Sequence, residues 1–216
     1  MTINKPIILF VAILFGLALQ MTGVHAKSLK TAQFAGGCFW CVEADLEKLK
    51  GVVDVQSGYA GGHVKNPTYK QVTRGGTGHY EAVKVTFDAD VISYRELVDI
   101  FWRTIDPTDA GGQFCDRGDS YRAAIFVTAE QKAAALASRA AAAKAMKGKI
   151  VTPILDAGRF YKAEDYHQNY YKGTGRVLTR FGYIKQSTAY KNYRTSCGRD
   201  KRVRQIWGDA APFAGS

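Results

Sequence analysis

No long block of basic residues, no zinc-finger spacing, no internal repeat and no linker occurs anywhere in the 216 residues. The formal net charge is +11, yet its cations are dispersed along the chain, as from Lys48 to Arg204, and form no long block. A nucleic-acid footprint gathers cations on one stripe, so nucleic acid is not expected as a partner. The charge reads as a solvated surface with a preference for acidic partners or anionic membrane faces. Without repeat or linker, one domain is the simplest organisation.

Cysteine is also scarce: Cys38, Cys41, Cys115 and Cys197 are the only four. A domain of this size buries enough core not to need disulfide staples, which weakens the reading of two structural bridges. Cys115 and Cys197 lack a second close ligand of the Cys-x-x-Cys type, so a four-cysteine zinc site is not expected and no metal is assigned. Redox chemistry is the better reading, because Cys38-Phe39-Trp40-Cys41 places two thiols three apart at a helix start.

The one long apolar run lies at the N-terminus. Lys5 precedes an apolar core from Ile7 to Leu19, and Val24-His25-Ala26 supplies small residues for cleavage. That is a secretory signal pattern, too short for a comfortable bilayer span. No cysteine near the cleavage point would accept a lipid. The expected organisation is a signal peptide over 1–26 and one domain over 27–216, exported to the periplasm. Removing residues 1–26 leaves 190, and removing the single charge Lys5 leaves +10.

The chain is organised around Gly36-Gly37-Cys38-Phe39-Trp40-Cys41-Val42-Glu43, which follows a short strand pattern over 29–34. Two glycines let the backbone turn sharply, and the residue after them falls at a helix N-terminus. The unpaired N–H groups and dipole there favour an anion, so Cys38 is expected to be a nucleophile of lowered pKa. A small buried core cysteine is the competing reading. The helix continues through Lys50 and stops at Gly51.

Strand patterns follow over 52–55, 79–87, 121–127 and 150–155, with helices from Ser93 to Ile105 and from Thr128 to Met146. Gly58 to Gly62 reads as a glycine-rich loop holding Tyr59, either a packing residue or a hydroxyl donor beside the cysteine site. Glu81 is either an exposed edge charge or a carboxyl kept protonated in an apolar pocket. The aromatic stripe of the 93–105 helix should be core. A long polar loop spans 106–120, and loops of that length are more often functional than filler. His167, among clustered aromatics, reads as a hydrogen-bonded structural residue. Beyond Gly173 no clean period is visible. Interleaved strands and helices favour an α/β (α+β) two-layer sandwich, a mixed central sheet flanked by helices, with a long irregular C-terminal tail. The core helices give no exposed apolar patch that would argue for a dimer, so a monomer is expected.

Several motifs in fixed order resemble the A-type peptide methionine sulfoxide reductases: Gly37-Cys38-Phe39-Trp40, Ser57-Gly58-Tyr59-Ala60-Gly61-Gly62, Gly78-His79-Tyr80-Glu81, Asp116 with Tyr121-Arg122, and Ala163-Glu164-Asp165-Tyr166-His167-Gln168. The resemblance covers about residues 30 to 170 and implies a ferredoxin-like core. It implies reduction of the S epimer of methionine sulfoxide, one of the two epimers that separate reductases reverse. The substrate would be oxidised proteins or the free sulfoxide, and the role repair of oxidised exported proteins. Cys38 would attack the sulfoxide sulfur, Glu81 would protonate the oxygen, and Tyr59 and Tyr121 would hydrogen-bond to it. Phe39 and Trp40 would hold the methyl group, and Asp116 would orient substrate or water. The Cys38 sulfenic acid would then be resolved by Cys197, in a mobile basic tail, or by Cys41, with a slight preference for Cys197. Cys115 would be a relay or a pocket residue. No bound cofactor is implied; a thioredoxin-like reductant or a dithiol would restore the thiols. The rival reading is a thiol–disulfide oxidoreductase using Cys38 and Cys41, which would have no use for Glu81, and a second rival is a disulfide-stapled binding module.

Overall fold

A computed structural model describes residues 28–215. The expected signal peptide and the start of the mature chain lie outside the described residues. Among those described, no helix is long and apolar enough to cross a membrane.

Six strands form the central sheet. β1 (Leu29–Gly36), β2 (Val52–Ala60), β3 (Tyr80–Asp88), β6 (Ala123–Val127), β7 (Ile154–Asp156) and β8 (Tyr161–Lys162) lie in the order β7-β6-β1-β3-β2-β8. Only β6 and β7 run parallel, so the sheet is mixed as expected. Helix α1 (Phe39–Leu46) follows β1, and α3 (Tyr94–Trp102) follows β3. The inner order β6-β1-β3-β2 with these two crossovers is the ferredoxin-like split βαβ arrangement. A short helix α2 (Tyr69–Arg74) and a long α4 (Ala129–Ala145) complete this part, and the 106–120 segment carries only the two-residue pair β4 (Gly112–Gln113) and β5 (Asp116–Arg117).

Strand alternation sorts the side chains onto two faces. Phe34, Val83, Val85, Phe87, Ile125 and Val127 enter the main core with α1, α3 and α4, while Ala35, Tyr80, Ala82, Ala124 and Phe126 form a smaller cluster on the other face. The Ser93 and Glu96 side chains cap α3 reciprocally, and Leu97, Phe101 and Trp102 are fully buried, so its aromatic stripe is core. Phe101 stacks on Phe34 with centroids 4.6 Å apart.

Several boundaries differ from the sequence reading. α1 ends at Leu46, because Lys48 and Leu49 donate to the carbonyls three residues back and tighten the chain into turns. Tyr59 lies on β2, paired with Glu81 on β3, and not in a loop. β6 begins at Ala123 and β7 at Ile154.

The largest correction concerns the region after Gly173. It is an ordered hairpin, β9 (Arg176–Thr179) with β10 (Gly182–Lys185), followed by α5 (Gln186–Ser196) and α6 (Arg199–Trp207). Its helices bury Ala189, Tyr190 and Arg194, then Arg199, Val203 and Trp207. Arginine at two of the inward positions hides the apolar period that a helix normally shows. Both cations are compensated: Arg194 meets Asp45 at 2.9 Å and Asp200 at 2.7 Å, and Arg199 donates to the carbonyls of Gly36 and Thr104 at 3.0 and 2.9 Å.

Candidate active site

The site is built where β1 gives way to α1. Gly37 has φ +80°, and a Cβ on it would stand 2.6 Å from Cβ of Gln113, so only glycine fits this turn. Cys38 is thereby set at the N-cap of α1, 6% exposed. The neighbouring strand β3 brings in Glu81, 1% exposed, whose carboxylate accepts the Phe39 N–H at 3.1 Å. The glutamate, rather than the sulfur, takes this N–H of the helix start.

The titration expected of Cys38 is reversed. Burial pushes its thiol well above the ordinary value, and the hydrogen bond with Cys41 and the negative charges of Cys41, Glu81 and Asp116 add to the rise. Cys41 is lowered, chiefly by that hydrogen bond from Cys38, with Arg199 and Arg194 helping against its own burial. Burial also raises Glu81 to about 8, against the opposing Phe39 N–H and Tyr121 hydrogen bonds. The resting site therefore holds a Cys38 thiol beside a protonated carboxyl at neutral pH.

Cys38, Phe39, Trp40, Glu81, Asp116 and Tyr121 line one cavity of about 140 Å³. Pockets for drug-sized ligands run to roughly 300–1,000 Å³, so this one takes the end of a side chain. A larger cavity, about 720 Å³, is lined by Thr108, Lys147, Lys149 and Arg202 among others and holds no thiol or carboxylate. The thiol of Cys38 and the carboxyl of Glu81 meet in the smaller one.

Two lining residues were missed in the sequence, Tyr69 and Tyr193. Tyr69 opens α2 and shares a hydrogen bond with the Tyr121 hydroxyl, which in turn bonds Glu81. Tyr59 is the residue sequence reading put in this place. Its hydroxyl instead donates to Glu164 at 2.7 Å, outside the cavity lining, because the register of β2 points it toward the 163–168 segment. Tyr69 follows Asn66-Pro67-Thr68, a proline turn and helix cap that could have marked a positioned residue. Tyr193 carried no signal, lying in the region without visible period.

Trp40 is held from two sides. Its ring stacks on Tyr170 at 3.8 Å and 5°, and its indole N–H donates to Nδ1 of His167 at 3.2 Å. That bond needs a neutral imidazole, and burial lowers His167 to about 4. His167 is thus a hydrogen-bonded structural residue, as its sequence context suggested. Asp116 is raised above the usual carboxylate range by burial and accepts a hydrogen bond from Tyr193.

The cysteines divide into two pairs. Cys38 and Cys41 are free thiols, while Cys115 and Cys197 form a disulfide with Cα atoms 4.9 Å apart. The preference for Cys197 as resolver rested on a mobile tail. Its helical setting and its bond to Cys115 remove that ground. Cys115, Asp116 and Cys197 are clustered closely enough for a metal, but the two sulfurs are already bonded to each other.

A family model described as peptide methionine sulfoxide reductase matches residues 30–211. The chain belongs to the peptide methionine sulfoxide reductase family. A reductase of that name from Caulobacter vibrioides, MsrA 2, is 49% identical over 206 residues, covering 95% of this chain and 99% of the relative. The Bacillus subtilis MsrA is 48% identical over 186 residues, 85% of this chain and 98% of its own length. Among solved structures, reduced Mxr1 from Saccharomyces cerevisiae aligns with a TM-score of 0.63 at 34% identity, covering 74% of this chain and 94% of that one. Methionine sulfoxide reductase A of Corynebacterium diphtheriae aligns at 0.62 and 32%, covering 74% and 85%. The chain is a reductase of methionine sulfoxide in peptides, and the thiol–disulfide oxidoreductase and binding-module readings fall away.

Proposed function

We propose that this reductase acts on the S epimer through Cys38, Glu81 and Cys41. The observation that carries the reading is the juxtaposition in one small cavity of a buried thiol and a carboxyl that keeps its proton to about pH 8. A sulfoxide oxygen leaves its sulfur poorly until it is protonated, so an acid is needed at the oxygen as much as a nucleophile at the sulfur. Glu81 gives its proton to the oxygen and takes up the Cys38 thiol proton as the sulfur attacks. Tyr69 and Tyr121 hold the oxygen by their hydroxyls. Phe39 and Trp40 receive the methyl group, and Asp116 orients the bound end.

Attack joins the Cys38 sulfur to the sulfoxide sulfur; the protonated oxygen then moves as hydroxyl onto Cys38 while that sulfur–sulfur bond and the substrate S–O bond break, leaving a thioether and a Cys38 sulfenic acid. The Cys41 thiol then attacks the sulfenic sulfur, the S–S bond forms, the S–O bond breaks and water leaves. Two thiols become one disulfide while one sulfoxide becomes one thioether, so the electrons balance within the chain. A thioredoxin-like dithiol protein would return the pair to thiols. Export, supported by the 1–26 pattern, would make the role repair of oxidised exported proteins, and the reductase would act as a monomer.

The test is anaerobic single turnover of pre-reduced enzyme carrying Cys41→Ser. The expected result is one methionine formed per chain from the S epimer, with a sulfenic acid persisting on Cys38. Rapid disulfide formation in that variant would show another resolver.

A further inference from the structure

Tyr193 and the Cys115–Cys197 disulfide have no part in the redox steps above, yet they converge on the same cavity. Tyr193 lines it, donates a hydrogen bond to Asp116, and meets Trp40 edge-on with centroids 6.3 Å apart at 79°. The disulfide joins the residue before Asp116 to the residue four after Tyr193. Cys197 ends α5, and its N–H donates to the Tyr193 carbonyl at 2.9 Å, so one helical turn carries both. The bond therefore spans the two segments whose side chains meet over the pocket, across 82 residues of sequence. The loop on one side is tied within itself by the two-residue β4–β5 ladder, the Gln113–Asp106 hydrogen bonds and an Arg117–Asp109 pair, and to α6 by Arg202 on Asp106 and Arg199 over the Phe114 ring, with no covalent tie to the C-terminal helices other than the disulfide. Cross-linking it to α5 limits how far the Asp116 segment can move away from Tyr193.

We propose that the Cys115–Cys197 disulfide is a strap that stays oxidised through the catalytic cycle and holds Tyr193 against Asp116, making Tyr193 the wall that fits the pocket to a methyl sulfoxide. The disulfide is a positioning device acting through Tyr193, which touches the substrate. The inference rests on Cys38 and Cys41 being the redox pair. That pair is buried and mutually hydrogen-bonded, whereas Cys115 is exposed and Cys197 half-buried.

The experiment uses the full chain with the strap oxidised and Cys38 and Cys41 reduced, the state being fixed by differential alkylation and mass spectrometry. Single turnover without added reductant is followed with the S sulfoxides of a methionine peptide and of its ethionine analogue. Wild type should lose two thiols, those of Cys38 and Cys41, and show no thiol at Cys115 or Cys197. In Cys115→Ser/Cys197→Ser the same two thiols should be lost, while the half-saturating methionine sulfoxide concentration rises about tenfold, the worth of one positioned hydrogen bond. The preference for methyl over ethyl should narrow, with the maximal rate changing less than the half-saturating concentration. Tyr193→Phe keeps the strap and should reproduce the weaker binding, which keeps the test open if the double variant fails to fold. Unchanged half-saturation and unchanged preference in Tyr193→Phe would overturn the strap proposal alone. Thiols appearing at Cys115 and Cys197 during wild-type turnover would make that pair a relay and overturn it too. A double variant that stalls with a Cys38 sulfenic acid and a free Cys41 thiol would instead overturn the assignment of the redox pair.

Discussion

Replacing Glu81 with glutamine separates the acid from its scaffold. Glutamine is nearly isosteric, and its carbonyl oxygen can still accept the Phe39 N–H that Glu81 accepts at 3.1 Å, so the start of α1 keeps its partner. What is lost is a proton available to the sulfoxide oxygen. General acid catalysis contributes about 10²–10⁴-fold, or about 2.7–5.5 kcal/mol in the barrier. Single-turnover methionine formation from the S epimer should fall by that factor. In wild type the rate at subsaturating substrate should fall above pH about 8, as Glu81 loses its proton, and the variant should lack this limb. Stability gives an independent check with its own sign. Glu81 holds its proton to about 8 when folded, against an ordinary 4.5, so folding takes up a proton between those values. Stability then falls as pH rises through that window, by about 1.4 kcal/mol per pH unit from this group, on the order of 5 kcal/mol in all. In Glu81→Gln this contribution should vanish, and denaturant melts at pH 5, 6.5 and 8 measure it. Retained single-turnover activity within threefold of wild type would refute the acid role.

Other consequences can be measured separately. Tyr69→Phe and Tyr121→Phe should each slow single turnover by about 10–100-fold, at or below the usual cost of one oxyanion donor, whereas Tyr59→Phe should have little effect on the rate. Equal losses in all three would contradict the placement of Tyr59 on Glu164. Glu43 is raised to about 7 by burial and accepts hydrogen bonds from the Asn169 N–H at 2.9 Å and the Ser57 hydroxyl at 3.1 Å. By the same sign argument, Glu43→Gln should flatten the fall of stability between pH 4.5 and 7 in thermal melts. Arg199→Met removes the donor to two buried carbonyls and should cost about 3–5 kcal/mol in urea titration. A loss below about 1 kcal/mol would mean that the Gly36 carbonyl finds another partner.

The catalytic stretch was legible because its physics is local. The glycine turn, the helix start and the second thiol three residues on all follow from residues 36–41, and the structure places them so. Glu81 was legible as one of two readings, and burial between β1 and β2 decided it. The Cys38 titration was misread because a sequence cannot show how completely the thiol is buried, nor that Cys41 and the acids Glu81 and Asp116 are gathered around it. Tyr59 was misplaced for a related reason, since the register of β2 aims it at Glu164 while Tyr69, at the start of α2, faces the pocket. The C-terminal helices were invisible because their buried faces carry Arg194 and Arg199, whose partners Asp45, Gly36 and Thr104 lie far back in the chain. The pairing of Cys115 with Cys197 depended on that same unseen packing.

The most direct test of the account is anaerobic single turnover of separated S and R methionine sulfoxide peptides by the reduced-site enzyme, with thiols counted and mapped before and after. The account predicts methionine from the S epimer only, two thiols lost per turnover, a new disulfide between Cys38 and Cys41, and no activity in Cys38→Ser. Reduction of the R epimer, or a new disulfide that leaves the Cys41 thiol free, would contradict it.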